Sequence, residues 1–559
     1  MKLIYGTYVI LFMLCINLEA DFLDKGTIIL GRPTTNSITA NVLAKDKIEF
    51  FVEYGLSSGN YTNKSENYTT SFPEQVELII NNLSANTRYF YRIQYRENES
   101  QSFSTSQEYF FQTQRAKGSS FSFTIQADPH LYDKKGSSGL MKVSMENQAK
   151  DSTDFILDLG DTFGDDHNPT TITDEQVKKL HLDYLPFFGM LCHSSPLFLC
   201  IGNHEGESGY YLLQTPPDNL AVYETKWRQK YYPNPFPDGF YSGNTDEEEL
   251  GIGKPENYYA WEWADALFVV IDVYRYYTAN AKPQKWDWTI GDKQYFWFKN
   301  NLETSKAKYK FVFAHHTLGQ GRGAVSTAML YEWGGWEDTK KTKWGFSKSR
   351  PGWDKPIHQL MVDNGVNIFF QGHDHLFAKE ELDGVVYQEV PMPSDSTYEI
   401  GVLANADAYT DLTMDGAGYL KVTVSDPEVK VDYIKSYLPQ DETDSLKNGM
   451  LSYSYTVKSR SNSIEEEITM RNIGLEQNQP NPFNHFTSID YTIQEAGNVQ
   501  LKVFDAMGNE VCTLVNEYQQ YGNYSAKLDA EKLHLPSGIY FYMLQIYNNI
   551  LTKSMILRK

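Results

Sequence analysis

Asn367-Ile368-Phe369-Phe370-Gln371-Gly372-His373-Asp374-His375 is an apolar run that stops at a glycine and is followed at once by two imidazoles. Such a run reads as a buried strand. In extended backbone residues i and i+2 point the same way, so His373 and His375 are expected to face one spot just past the strand's end. Imidazole is the commonest metal ligand among side chains. A lone His-x-His is a weak signal, and it gains weight because the same arrangement recurs upstream.

Working outward, Asp128-Pro129-His130, Gly160-Asp161, Gly202-Asn203-His204-Glu205 and His315-His316 each follow a β-favouring apolar run. Strands of a layered sheet bring their C-terminal ends to one edge, where open α/β folds bind ligands. Five segments distant in sequence can therefore converge there. Six of the twelve histidines lie in these motifs, which chance clustering explains poorly. Asp, His and Asn without Cys form a hard-to-borderline donor set suited to Zn, Mn, Fe or Co. Asp374, between the two ligand-type histidines, is expected to point away and serve the structure. Arg322 in Gly319-Gln320-Gly321-Arg322-Gly323 could grip a phosphate oxygen or be a solvated loop arginine. His167, in the acidic loop after Asp161, is a similar candidate.

The 559 residues suggest three or four domains, and 41% hydrophobic content is ample for large cores. A formal charge of −22 argues against nucleic-acid duplex or anionic membrane as the main partner. It leaves room for a small phosphate substrate, because a metal centre supplies local positive charge that the net count hides. Residues 1–20 read as a secretory signal peptide: Lys2, an uncharged stretch Leu3 to Leu18, then Leu18-Glu19-Ala20. No later run is long and apolar enough for a transmembrane segment, so the mature chain is expected to be exported. Cys192, Cys200 and Cys512 remain, an odd number that does not describe a disulfide framework. Cys200, inside Leu197-Phe198-Leu199-Cys200-Ile201, reads as a small buried hydrophobe.

The expected fold class is an α/β double-sheet sandwich flanked by two small all-β, immunoglobulin-like domains. Residues 25–115 carry short β-favouring runs punctuated by turns: Ile28 to Leu30, Ile38 to Val42, Phe50 to Tyr54, Val76 to Ile80, Tyr89 to Ile93 and Tyr109 to Phe111. Residues 120–437 alternate buried strands with helical segments, the α/β pattern. There Tyr295, Phe298 and Leu302 recur at helical spacing and read as core packing. Nine tryptophans between Trp261 and Trp353 either line a substrate cleft or pack a large insertion. Residues 438–472 read as a polar linker that includes one possible strand, Leu451 to Val457. Residues 473–559 read as a further β unit, with Val499-x-Leu501-x-Val503 alternating and Ala506-Met507-Gly508-Asn509 as a turn.

Leu83 to Tyr91 resembles the tyrosine corner of fibronectin type III domains. The five ordered motifs resemble the calcineurin-like metallophosphoesterase family, D-x-H, G-D, G-N-H, H, G-H-x-H, over roughly residues 120–435. With the β-sandwich in front, the chain resembles the purple acid phosphatase branch. That resemblance implies two divalent metal ions, Zn, Mn or Fe. Asp128, His130, Asp161 and His375 would hold the first, and Asp161, Asn203, His315 and His373 the second. It implies His204 as phosphate contact or general acid, and His316 as an outer-shell or substrate contact. The chain departs from the purple branch where a tyrosine ligates ferric iron, since Gly164 stands there; no tyrosinate colour is expected. Leu475-x-Gln477-Asn478-x-Pro480-Asn481-Pro482-Phe483-Asn484, Ser537-Gly538-Ile539-Tyr540 and the basic end Ile556-Leu557-Arg558-Lys559 resemble the C-terminal sorting domain of type IX secretion cargo. This implies the type IX secretion machinery as partner and a secreted or outer-surface location.

The function so implied is hydrolysis of phosphate esters by a metal-activated hydroxide attacking phosphorus in line, with monoesters slightly favoured. Loops from Tyr258 to Trp353 suit stacking on a nucleobase or sugar, making a nucleotide or sugar phosphate one candidate substrate. Alternatives are a phosphodiesterase or nucleotide hydrolase on the same site, and a surface-attached binding or adhesion protein with a non-catalytic scaffold. A metalloprotease is excluded because no His-Glu-x-x-His helix is present.

Overall fold

The computed structural model describes residues 22–132, 136–164, 168–214, 218–277, 279, 282–317, 321–400, 406–459, 473–493, 497–546 and 549–559. The signal-peptide segment, His167 and residues 460–472 of the expected linker lie outside them. The chain divides into two compact units at Ser459.

The first unit opens with a β-sandwich. Gly26–Gly31, Ile38–Ala44 and Val76–Ile80 make one sheet, and Ile48–Gly55, Arg88–Arg96 and Tyr109–Gln112 are paired in the other. Tyr89 is the corner residue: its hydroxyl accepts the Ser84 N–H at 2.8 Å. The sandwich rests on the α/β core through polar ties. Tyr91 donates to the His193 carbonyl at 2.6 Å, and Asn41 to the Lys230 carbonyl at 3.0 Å.

Two sheets, not one, carry the ligand motifs. In the first, Leu197–Leu199, Phe155–Asp158 and Phe121–Gln126 run parallel, then Gly418–Val424, Glu428–Lys435 and Leu451–Lys458 follow antiparallel. In the second, Ala266–Val270, Tyr309–Phe313, Ile368–Gln371 and Val385–Glu389 form the parallel centre between antiparallel flanks. Because successive strand residues alternate faces, each central strand feeds two cores. Phe155, Leu157, Phe311, Phe313, Ile368 and Phe370 point into the space between the sheets. Ile156, Val312 and Phe369 point outward to a core shared with the helices. The inner layer is largely aromatic: Phe313 stacks on Phe370 with centroids 5.2 Å apart, and Phe123 meets Phe268 edge-on at 5.2 Å.

Helices Ser138–Lys150, Asp174–Cys192 and Gly291–Thr304 contribute buried faces to the outer core. Thr173 starts the second of these with a reciprocal capping box to Gln176, an arrangement that satisfies two otherwise orphaned donors. Tyr295, Phe298 and Leu302 are wholly buried. Most tryptophans pack rather than line a cleft: Trp261 and Trp263 lie between the sheets, and Trp353 stacks on Tyr295 at 3.8 Å. Trp344 is the exception, 47% exposed. Cys192 and Cys200 are buried free thiols. No helix among the described residues is long and apolar enough to cross a membrane.

Leu451–Lys458 corrects the expected linker. It pairs along Glu428–Lys435 as the outermost strand of the first sheet, so the α/β unit continues to Ser459 rather than ending near Tyr437.

The second unit is its own two-sheet sandwich. Ile473–Leu475, Phe486–Ile493 and Gly522–Asp529 form one sheet, and Glu510–Gln519, Gly497–Asp505, Gly538–Ile546 and Asn549–Leu557 the other. Asn478 of the opening motif is wholly buried. Its side chain donates to Thr487 Oγ1 at 2.9 Å and to the Pro480 carbonyl at 3.1 Å, which accounts for a polar residue at a core position.

Candidate metal centre

All five motifs end at the same rim of the double sheet. Asp128, Asp161 and Asn203 come from the loops after three adjacent parallel strands of the first sheet. His315, His373 and His375 come from the loops after two adjacent strands of the second. The expectation of one sheet edge is thus replaced by two facing edges, each supplying part of the donor set.

The loops turn sharply to do this. Asp128, His130, Asp161, His373 and His375 all have positive φ, from 39° to 80°, a region costly for residues with side chains. Such strain concentrates at functional sites. It also corrects the extended reading of His373 and His375: their backbones are left-handed, and their rings diverge to two sub-sites. His375 Nε2 lies 3.1 Å from His130 Nε2 and 3.5 Å from Asp128 Oδ1. His373 Nδ1 lies 3.2 Å from His315 Nε2, which is itself 3.2 Å from Asp161 Oδ2. Asp161 stands between the two groups, its Oδ2 being 3.6 Å from His130 Nε2.

Two histidine nitrogens at this separation have little reason to approach each other unless something binds both. Ligand bonds of about 2.0–2.1 Å at a tetrahedral angle place two donor nitrogens about 3.3 Å apart, close to both observed pairs. The acceptors agree. Asp128 Oδ1 and Asn203 Oδ1 are buried without a hydrogen-bond partner, a costly arrangement for a protein interior unless an ion is to be met. Three groups of carboxylate and imidazole donors fall within coordinating reach: Asp128, His130, His375; Asp161, His315, His373; and His130, Asp161, His204. The residues present therefore fit divalent cations.

Electrostatics lean the same way. Burial alone would raise Asp161, but the charge of His315 and then His204 outweighs it and holds the carboxylate far below its ordinary value. Burial would lower His315, yet Asp161 and Asp128 lift it to about 9. The carboxylates call for positive charge, and among side chains His315 is what answers.

Behind the donors lie residues that fix them. His315 Nδ1 donates to the Leu159 carbonyl at 2.9 Å, leaving Nε2 for the site. Glu205 accepts backbone N–H groups from Asp161 at 2.9 Å, Thr162 at 2.6 Å, Phe163 at 3.2 Å and Gly202 at 2.6 Å. One carboxylate thus clips two ligand loops together. The His204 N–H donates to Asp161 Oδ1 at 2.7 Å, so Glu205 serves Asp161 rather than the His204 ring. Asp374 is turned away from the cluster as expected, accepting from Gly323 N–H and the Tyr409 hydroxyl, each at 2.7 Å. Tyr409 also bonds Glu389 at 3.0 Å, and Glu389 accepts the Asp374 N–H at 2.9 Å. Glu389 and Tyr409 were invisible in the sequence; a carboxylate at the end of a buried strand, Val385–Glu389, is the one cue that could have raised the first.

The remaining candidates sort by burial. His204 is part-exposed at 27%, its ring edge-on to His130 at 5.3 Å. His316 is wholly buried, its Nε2 3.0 Å from the Gly323 carbonyl and its ring 5.0 Å from that of His373. That placement corrects the substrate-contact reading and leaves His316 behind His373. Arg322 donates to the His373 carbonyl at 2.7 Å and to Asp374 at 3.0 Å while staying 45% exposed, so it holds the ligand turn yet reaches solvent. Gly164 admits no side chain: a Cβ there would stand 1.6 Å from the His204 carbonyl oxygen.

Comparison with known proteins agrees with this geometry. Residues 121–377 match the family described as calcineurin-like phosphoesterase, and residues 479–558 match the secretion system C-terminal sorting domain. Among solved structures, that of PhoD has 15% identity over 78% of this chain and 90% of its own, with a TM-score of 0.54. Purple acid phosphatase PPD1 from yellow lupin (Lupinus luteus) seeds has 15% identity over 78% of this chain and 75% of its own, at 0.50. At such identity both likenesses concern the fold. No curated protein matches the sequence.

Proposed function

We infer that this chain, whose residues 121–377 match the calcineurin-like phosphoesterase family, is an exported metal-dependent phosphoester hydrolase with a two-cation centre. The observation that carries this is the pair of facing imidazole nitrogens at 3.1 and 3.2 Å on either side of Asp161. Asp128, His130, Asp161 and His375 would hold one cation, and Asp161, Asn203, His315 and His373 would hold the other. When bound, such a pair activates water and neutralises the oxygens of an in-line displacement at phosphorus.

The chain's own residues do the rest. His204 stands on the open side, where it hydrogen-bonds the phosphoryl group and gives a proton to the leaving oxygen as the P–O ester bond breaks. Glu205 keeps Asp161 and Asn203 in register. Arg322 steadies the His373 turn and offers its exposed edge to a substrate oxygen. The N-terminal signal and the C-terminal sorting domain support export to the cell surface or beyond.

The test is a panel of nitrophenyl phosphate mono- and diesters with Mn²⁺, Zn²⁺ or Fe²⁺, run beside Asn203→Ala. Turnover of at least one ester, cut about a hundred-fold in the variant, is expected. No turnover with any metal would leave a binding scaffold, and full activity in the variant would remove Asn203 from the centre.

A further inference from the structure

Trp344 is held firmly and yet left in solvent. Trp336 and Trp344 face each other as an antiparallel bridge, closed by the Glu337 N–H on the Lys343 carbonyl at 2.9 Å and the Gly345 N–H on the Gly335 carbonyl at 3.0 Å. The six-membered half of the Trp344 ring lies against Gly335, where a Cβ would stand 2.3 Å from it. Trp336 meets the ring edge-on at 5.1 Å, and Trp344 Nε1 donates to Ser347 Oγ at 3.3 Å. Despite these contacts 47% of Trp344 is exposed. An indole fixed in this way has already lost the side-chain freedom that binding would otherwise cost.

Both tryptophans line a cavity of about 170 Å³, with Lys341, His358, Gln359 and Asp383 in its other walls and none of the metal-centre donors among them. The polar groups come from three tight elements. Lys341 sits on the tip between the two tryptophans, its N–H donating to the Asp338 carbonyl at 3.1 Å. Asp383 sits on the two-residue turn that joins Phe377–Leu382 to Val385–Glu389. Its φ is 49° and that of Gly384 is 79°, both positive as a type I′ hairpin turn requires. His358 and Gln359 lie in the first turn of helix Ile357–Asp363. His358 Nε2 is 3.1 Å from the Asp383 carboxylate and its Nδ1 is 2.8 Å from the Tyr387 hydroxyl, so the acid is aimed while its side chain stays 45% exposed.

These walls define the occupant. The volume falls below the roughly 300–1,000 Å³ of sites for drug-sized ligands, which leaves room for a single ring. One ammonium and one carboxylate balance, so the cavity selects neither a phosphate nor a cation. A planar apolar platform bordered by donors and acceptors matches a pyranose, whose C–H face is apolar and whose rim carries hydroxyls. We propose that this cavity is a glycan-binding site for a neutral pyranose unit. The sugar stacks on Trp344, Asp383 accepts from neighbouring hydroxyls, and Lys341 and Gln359 complete the rim. The site holds the chain to polysaccharide independently of any hydrolysis. The match of residues 479–558 to a secretion sorting domain fits a chain that meets such polymers outside the cell.

The experiment is affinity gel electrophoresis of the full chain through gels holding amylopectin, xylan, galactomannan or mannan, with dextran sulfate and serum albumin as the charged and protein comparisons. Wild type is expected to be retarded by at least one neutral polysaccharide. Trp344→Ala and Asp383→Ala should each weaken that binding about ten-fold, while Trp344→Phe, which keeps an aromatic face, should retain most of it. Melting temperatures of the three variants, expected within about 4 °C of wild type, separate lost binding from lost fold. No retardation by any neutral polysaccharide, equal retardation of wild type and Trp344→Ala, or retardation by dextran sulfate or albumin alone overturns the site. Binding is read directly, so each of these outcomes leaves the phosphoesterase reading untouched.

Discussion

Two of the clusters of buried ionisable groups in the α/β unit are built on opposite rules. Around Glu207 every charge is answered. Arg228 donates to Glu207 Oε1 at 2.5 Å and Oε2 at 3.0 Å, with two further N–H groups on the Pro255 and Glu256 carbonyls. Arg275 adds a contact to Glu207 at 3.3 Å and reaches Glu248 at 2.6 Å, and Thr225 donates to Glu207 at 2.7 Å. Burial would raise Glu207, but the two arginines hold it below its ordinary value. Around Asp161, by contrast, imidazoles face imidazoles and acceptors stand unmet. A closed network holds the fold. An open one waits for a ligand.

The contrast can be broken at either end. The largest effect should come from the open cluster: Asp161→Asn removes charge from the donor shared by both sub-sites and should cut kcat/KM on a nitrophenyl ester by about a thousand-fold or more. Bound metal, counted by elemental analysis, should fall below two per chain; two retained ions would deny the sharing. Next comes the closed cluster. Arg228→Met leaves Glu207 buried with half its partners gone and should cost about 3–5 kcal/mol in denaturant unfolding, while activity per folded molecule persists. A loss under about 1 kcal/mol would mean the network is dispensable.

A pH effect sharpens the same line. Buried His181, stacked under Phe163 at 4.6 Å, is pushed down to about 4 by burial. Its folded value lies below the unfolded one near 6.5, so between them the unfolded chain binds the extra proton. Its contribution is full above about pH 6.5 and disappears as pH falls towards 4, worth up to about 3 kcal/mol. His181→Gln should flatten that slope in denaturation measured across the window, and an unchanged slope would place the sensitivity elsewhere. The smallest effect belongs to Tyr409→Phe, which deletes the hydroxyl bonded to Asp374 and Glu389. Metal affinity by competition with a chelating dye should weaken about ten-fold, with the melting temperature nearly unmoved; unaltered affinity would make Tyr409 mere packing.

Much of the donor set was legible because its chemistry is local: a strand, a glycine and a polar residue suffice to mark Asp161, Asn203 and His373, and a strand followed by Asp-Pro-His marks Asp128. The parallel strands were legible because they are buried on both faces and read as unbroken apolar runs. What escaped notice depends on partners far away in sequence. Phe377–Leu382 contains Lys379, Glu380 and Glu381 and does not look buried, yet Glu380 accepts Val325 and Thr410 N–H groups at 2.9 Å each. Leu451–Lys458 alternates like a strand, but its polar neighbours hid the sheet edge it completes. The left-handed turns at His373 and His375 had no signal, because side-chain residues adopt them only where the surrounding fold insists.

The Glu205 clip bears on which ions the enzyme tolerates. With one carboxylate holding the Asp161 and Asn203 loops, the gap between those donors cannot widen for a bulkier guest without tearing several backbone bonds at once. Calcium, which seeks six to eight oxygens at about 2.3–2.6 Å, would have to do that tearing. On the proposed two-cation reading, selection by radius would then rest on these main-chain hydrogen bonds.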